Sequence, residues 1–283
     1  MSVPSYSDLG ARARGVFKCG YAYDFARLRL AGPALRDLGV DGLASFDLKN
    51  SKYSGTLLGK YDTGYGKASL KAQTSGPLVA EYEIKEVVEH VDVTAGASIN
   101  VPESFQTIKL AGKYHNEMVH TTTSLTKDFD RSVDLLGSAV LKLGNFLLGC
   151  QAGFDANSSQ VTSHDLALGV ELGDTSLVLK SVQLPSELDF SAYYKVNDAV
   201  DVAMDAKIAS NDETKLWFLG IGAMCKVGES TKLRFKFDKN FQFGSSLVFN
   251  LHQCAKLVLN FNLDMSNPTS GQHKVGLAID YEA

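Results

Sequence analysis

The sequence predicts an all-β fold in which one long antiparallel sheet closes into a membrane-spanning barrel. Three observations carry that prediction. Almost every segment beyond the first 25 residues alternates apolar and polar residues singly, the pattern of a strand whose two faces meet different surroundings. The polar faces hold many small residues (Gly96, Ser98, Ala203, Gly276, Ala278), unlike the lysine- and glutamate-rich outer faces of soluble sheets. The breaks are short and carry turn chemistry, and only 6 prolines are set against 25 glycines, 15 phenylalanines and 11 tyrosines, so ladder hydrogen bonds stay largely intact.

Composition sets the outer limits. Hydrophobic content of 45% and charge of 21% are average, and the net charge of −4 excludes a general nucleic-acid binder, which would be basic. Cys19, Cys150, Cys225 and Cys254 are far apart with no CxxC spacing, so free thiols are expected. No apolar run reaches the roughly 18–20 residues of a membrane helix, the stretch from Leu216 to Cys225 included, and no secretory core opens the chain. A closed barrel needs neither, because its strands satisfy each other's backbone groups in lipid.

The first twenty residues differ from the rest. Ser5-Tyr-Ser-Asp8 has capping-box spacing with a short carboxylate, and Tyr6, Leu9, Ala13, Val16 and Phe17 share one face of a helical wheel. Arg14 and Lys18 lie opposite, Asp8 and Arg12 on a flank, and Gly20 is a helix stop. These features predict a short basic amphipathic helix within residues 1–20, followed by a sheet over 21–283.

The strands follow in order. Val91, Val93, Ala95, Ala97, Ile99 and Val101 alternate with Asp92, Thr94, Gly96, Ser98 and Asn100. Val200, Val202, Met204, Ala206 and Ile208 alternate with Asp201, Ala203, Asp205 and Lys207. Leu233, Phe235 and Phe237 alternate with Lys232, Arg234, Lys236 and Asp238, and Leu257 to Leu263 alternate with Lys256 to Asp264. At the end, Val275, Leu277, Ile279 and Tyr281 share one face, and Lys274, Gly276, Ala278 and Asp280 the other. Turns are expected at Ser210–Glu213, Gly228–Ser230, Lys239-Asn240 and Ser266–Gly271. At about ten residues per strand, the chain holds roughly 18–20 of them. A soluble sandwich, or a soluble barrel that binds a ligand in its lumen, also fits the alternation at this point.

Both ends resemble a known family. Val3-Pro-Ser-Tyr-Ser-Asp-Leu-Gly10 with Val16-Phe17 and Gly20-Tyr21, and the terminal Gly271-Gln-His-Lys-Val-Gly-Leu-Ala-Ile-Asp-Tyr-Glu-Ala283, look like the start and finish of the mitochondrial porins, the voltage-dependent anion channels. Val161-Thr-Ser, Tyr194-Lys-Val-Asn197 and Lys236-Phe-Asp238 fit the same family, and the resemblance thins between about Asp62 and Val101.

The resemblance implies a nineteen-stranded barrel with the N-terminal helix in its lumen and the last strand parallel to the first, near Tyr21 to Leu30. It implies a voltage-gated channel in the mitochondrial outer membrane for ions and small metabolites, adenine nucleotides among them. Its partners would be membrane lipid and permeant ions, with homo-oligomers compatible and no cofactor, metal or enzymatic step. It assigns pore-lining roles to Arg12, Arg14, Lys18, Lys113, Lys236 and Lys274, and a hinge to Gly20. The family's mitochondrial sorting signal matches Lys274, Gly276, Ile279 and Tyr281. Arg14 takes the family's arginine position, whereas Cys19 occupies that of a lysine, and Gly20 alone survives of the glycine-rich hinge.

The family's membrane-facing glutamate has no clear counterpart in Ser69-Leu-Lys-Ala-Gln73, so hexokinase docking is not carried over. Its glycine-leucine-lysine stretch is replaced near Glu89-His-Val-Asp92, and Gly228 and Phe235 depart from its signature.

Alternation also assigns the lumenal charges. Lys109, Lys113, Lys232, Arg234, Lys236, Lys256 and Lys274 face Asp92, Asp165, Glu171, Asp189, Asp201, Asp205, Asp238, Asp264 and Asp280 around a mixed wall. With the net charge of −4, weak anion or even cation preference is expected. The six histidines have no zinc or HExxH spacing, and no P-loop or GxSxG occurs, so an enzyme is not expected. A porin-like protein serving as a membrane scaffold or regulator with little conductance is the alternative.

Overall fold

The computed structural model describes residues 3–32, 38–74, 76–100, 105–129, 132–183, 186–210, 215–269 and 272–282. Expected features at Val101, at 211–213 and at 270–271 lie outside them. Among the described residues, nineteen strands form one closed sheet. They are β1 (Phe25–Ala31), β2 (Leu38–Asp47), β3 (Lys52–Thr63), β4 (Gly66–Gln73), β5 (Leu78–Val88), β6 (Val91–Asn100) and β7 (Phe105–His115). Next come β8 (Val119–Asp128), β9 (Val133–Leu143), β10 (Phe146–Asp155), β11 (Gln160–Leu172), β12 (Thr175–Val182) and β13 (Glu187–Lys195). The last six are β14 (Val200–Ser210), β15 (Lys215–Val227), β16 (Thr231–Asp238), β17 (Gln242–His252), β18 (Ala255–Asp264) and β19 (Lys274–Glu282).

Each strand pairs with the next in antiparallel fashion, and β1 closes the ring against β19 in parallel, Ala26 opposite Leu277 through Ala31 opposite Glu282. An odd number of up-and-down strands leaves the first and last running the same way, so this seam must be parallel. Closure removes every exposed edge, which is what a sheet in lipid requires.

The faces fall as the alternation predicts. On β19, Val275, Leu277, Ile279 and Tyr281 are exposed outward while Gly276 and Ala278 are buried inward. On β14, Val202 and Met204 alternate with Asp201, Ala203 and Asp205, which register onto Met224, Gly222 and Gly220 of β15. Exposed leucine, valine, isoleucine and phenylalanine side chains cover the outer wall from Leu28 to Ile279. A soluble protein would not expose so large an apolar surface, so the outer face meets lipid. That disposes of the soluble sandwich and the soluble lumen-binding barrel.

Inside, the N-terminal segment supplies the apolar packing of the interior. It is not one continuous helix. Tyr6–Asp8 form a 3₁₀ turn, and α1 (Ala11–Lys18) begins afresh after Gly10, whose left-handed φ of 74° breaks the run. Ser5 caps the first turn: its hydroxyl accepts from the Asp8 N–H at 3.3 Å and donates to the Asp8 carboxylate at 2.6 Å.

Candidate functional site in the barrel lumen

Two apolar clusters seat the N-terminal segment on the wall. Val3, Tyr6 and Leu9 pack against Val140, Leu147, Ala167 and Val178 on β9 to β12. Ala13 and Val16 pack against Ala203, with Phe17 and Tyr193 alongside. These apolar wall residues point inward, against the rule for a wet lumen, because the segment covers them. Each buried leucine or valine is worth about 1.5–3 kcal/mol over exposure.

Glycines make room for the segment. A side chain at Gly149 would meet Leu9 at 2.9 Å and Tyr6 at 3.0 Å, and one at Gly222 would meet Val16 at 3.0 Å. At Gly276 it would run into the Ala22 carbonyl.

Wall side chains then hold the segment by its backbone carbonyls. His120 Nδ1 lies 3.0 Å from the Val3 carbonyl, and Lys180 donates to Tyr6 O at 3.3 Å. Lys236 donates to Phe17 O at 3.2 Å, and Arg234 donates to Cys19 O. These last two carbonyls belong to the end of α1, where no helical N–H remains to pair them and the dipole favours cations. Beyond the helix, Ser246 donates to Gly20 O at 2.7 Å. Asn260, its amide oriented by this network, donates to the same oxygen at 2.7 Å and accepts from the Ala22 N–H at 3.2 Å. Ser246 and Asn260 are both fully buried under the segment.

The aromatic residues of the segment are equally enclosed. Burial, with the Asp165 carboxylate second, pushes the Tyr6 phenol up to about 12. Burial pushes Tyr21 to about 12 as well, against the opposing pull of Arg234. Both are neutral at physiological pH and add no charge to the lumen.

Of the residues expected to line the pore, Lys18 is exposed and borders a chamber of about 980 Å³ with Asp205, Lys207 and Asp264. Arg12 is exposed but donates to Gly173 O at 3.0 Å and lies 6.0 Å over the Tyr193 ring. Arg14 turns back onto its own segment, to Leu9 O at 2.6 Å and to Ser7 O. Lys113 faces the lumen from β7 and pairs with Glu83 at 3.6 Å. Lys236 lies 4.2 Å over the Tyr21 ring and 5.1 Å over Tyr23 as it reaches the helix. Lys274 pairs with Asp24 at 3.5 Å, just ahead of β1. The structure therefore gathers Lys18, Lys236 and Lys274 around one chamber and leaves Lys113 on the far wall. Gly20, with φ of 81°, sits where only glycine is unstrained, and its carbonyl is held twice.

Sequence reasoning missed lumenal cations. Arg27 and Arg29 register onto Ala278 and Asp280 and so face inward, as do Lys60, Lys67 and Lys71 through their pairing with the lumenal positions of neighbouring strands. The signal was present, since Leu28 and Leu30 alternate with the two arginines. The outward face of β4 reads Gly66, Ala68, Leu70 and Ala72 and carries no carboxylate.

A profile of the family described as eukaryotic porin matches residues 2–276. The chain belongs to the eukaryotic porin family. Similar porins include the non-selective voltage-gated ion channel VDAC2 of Xenopus laevis, 28% identical over 284 residues, covering 99% of both chains. The non-selective voltage-gated ion channels VDAC1 of Rattus norvegicus and of Homo sapiens are each 28% identical over 285 residues, again 99% of both chains. At 28% identity over the full length, these porins differ from the chain at most positions.

Proposed function

We propose that this porin is a voltage-gated channel for ions and small metabolites, adenine nucleotides and other small anions among them, in the mitochondrial outer membrane. The observation that carries the reading is the lumen itself. Strands whose outer faces are mainly apolar turn charged and small residues inward, and the described part of the N-terminal segment lies along the wall with no hydrogen bond to β2–β7 among the described residues. A charged wall beside water offers permeant ions many weak sites, which favours entry without trapping. The mixed charge supports weak selectivity. The C-terminal Lys274, Gly276, Ile279 and Tyr281 are the residues this reading gives to the import machinery as an address.

Protein reconstituted into liposomes loaded with ATP should release it, as read by luciferase in the outer solution. Radiolabelled chain added to isolated mitochondria should enter the outer membrane in carbonate-resistant form. Retention of ATP by vesicles that contain folded barrel would refute the channel, and would leave the scaffold reading standing.

A further inference from the structure

Three histidines stand in one row near the rim of the barrel. His115 at the end of β7 and His120 near the start of β8 are direct cross-strand partners, and they share the inward face of Lys113. His90, in the turn ahead of β6, joins them because its carbonyl accepts from the His115 N–H at 3.0 Å. The ring centres of His90 and His115 lie 6.2 Å apart, and those of His115 and His120 lie 6.3 Å apart.

The partners of the ring nitrogens narrow the chemistry. His120 Nδ1 lies 3.0 Å from the Val3 carbonyl. A carbonyl only accepts, so Nδ1 carries the proton and the lone pair of the neutral ring is on Nε2. That Nε2 is buried and, among the described residues, has no hydrogen-bond partner. A buried acceptor without a partner is costly, and a neutral imidazole with one bare nitrogen is the form that binds a metal ion. His115 is arranged likewise: Asp92 Oδ2 lies 3.9 Å from its Nδ1, and the Glu86 N–H donates to the other oxygen of that carboxylate at 3.0 Å. A carbonyl or carboxylate behind one ring nitrogen is what orients the other toward a metal.

We propose that His90, His115 and His120 form a binding site for a zinc ion, with Asp92 and the Val3 carbonyl as its outer supports. Imidazole nitrogen suits zinc, and no local spacing announces the site because its members come from a turn and two strands. Among the described residues no three donors already stand in one coordination sphere. Two imidazoles on one zinc ion, at bonds of about 2.0–2.1 Å, have ring centres about 5 Å apart, so each pair must close by about 1 Å. Rotation of His115 toward His120 supplies this for one pair, since direct cross-strand partners have Cβ atoms only about 4.5–5.5 Å apart. His90 is exposed in its turn and free to follow. The charge around the row favours a dication: Glu86, Glu89, Glu117 and Asp92 outnumber Lys85 and Lys142, and Lys113 is held by Glu83 at 3.6 Å. The site needs the folded barrel and does not depend on the channel reading.

Folded protein in detergent micelles, stripped with a chelator and titrated with zinc chloride against a fluorescent zinc dye, tests the site. The parent protein should take up one zinc ion per chain, saturably. His115→Gln with His120→Gln should abolish that uptake, and Asp92→Asn should weaken it roughly ten-fold. His252→Gln, on β17, should leave it unchanged. X-ray absorption at the zinc edge of the loaded parent should show imidazole scattering, and it decides the matter if the double variant fails to fold. No saturable uptake by the parent, parent-like uptake by the folded double variant, or sulfur in place of imidazole around the zinc would overturn the proposal.

Discussion

Asn260 on β18 holds the carbonyl of Gly20 at 2.7 Å from beneath, and its own oxygen takes the Ala22 N–H at 3.2 Å. One fully buried side chain thus ties both sides of the link between α1 and β1 to the wall. A link clamped in this way behaves as a strap, whatever freedom glycine gives it.

Removing the clamp should loosen the segment without opening the barrel. Asn260→Ala leaves the Ala22 N–H unpaired under the strap, at a cost of about 1–3 kcal/mol. Trypsin should then cut after Lys18 faster than in the parent protein, while the strands stay protected. Equal cleavage rates would show that the clamp does not hold the segment.

Room beneath Tyr6 and Leu9 should matter as much. Gly149→Val places methyl groups where those side chains lie and should cost about 1–3 kcal/mol through overpacking. Hydrogen exchange should speed up at the α1 amides and stay slow in β10. Unchanged protection of α1 would mean that the wall yields there.

The final strand has separate duties on its two faces. Ile279→Lys puts a charge against lipid, which costs roughly 2–4 kcal/mol at mid-membrane depth, so the folded fraction in vesicles should fall. Gly276→Asp drives a side chain into the Ala22 carbonyl and should likewise reduce assembly before it alters conductance. Wild-type insertion of both variants, with only selectivity changed, would contradict this division.

The barrel was legible in the sequence because period-two alternation is a local property. Val200 to Ile208 or Val275 to Tyr281 declare their faces unaided, whereas the parallel seam between β1 and β19 came only with the family resemblance. The break in the helix was less visible: the spacing from Tyr6 to Phe17 reads as one helix, and Gly10 divides it through a backbone angle. Least legible were the contacts between segment and wall. Ser246 and Asn260 look like ordinary lumenal polar residues, and nothing nearby in the chain marks a partner such as Gly20, 226 positions from Ser246. Lys67 and Lys71 were not assigned to the lumen, although Ala68, Leu70 and Ala72 alternate with them on the outward face.

Planar-bilayer recording of the purified protein tests the central claim most directly. The account predicts discrete single-channel steps that close as voltage rises in either direction. Silence from protein that is folded and inserted would contradict it.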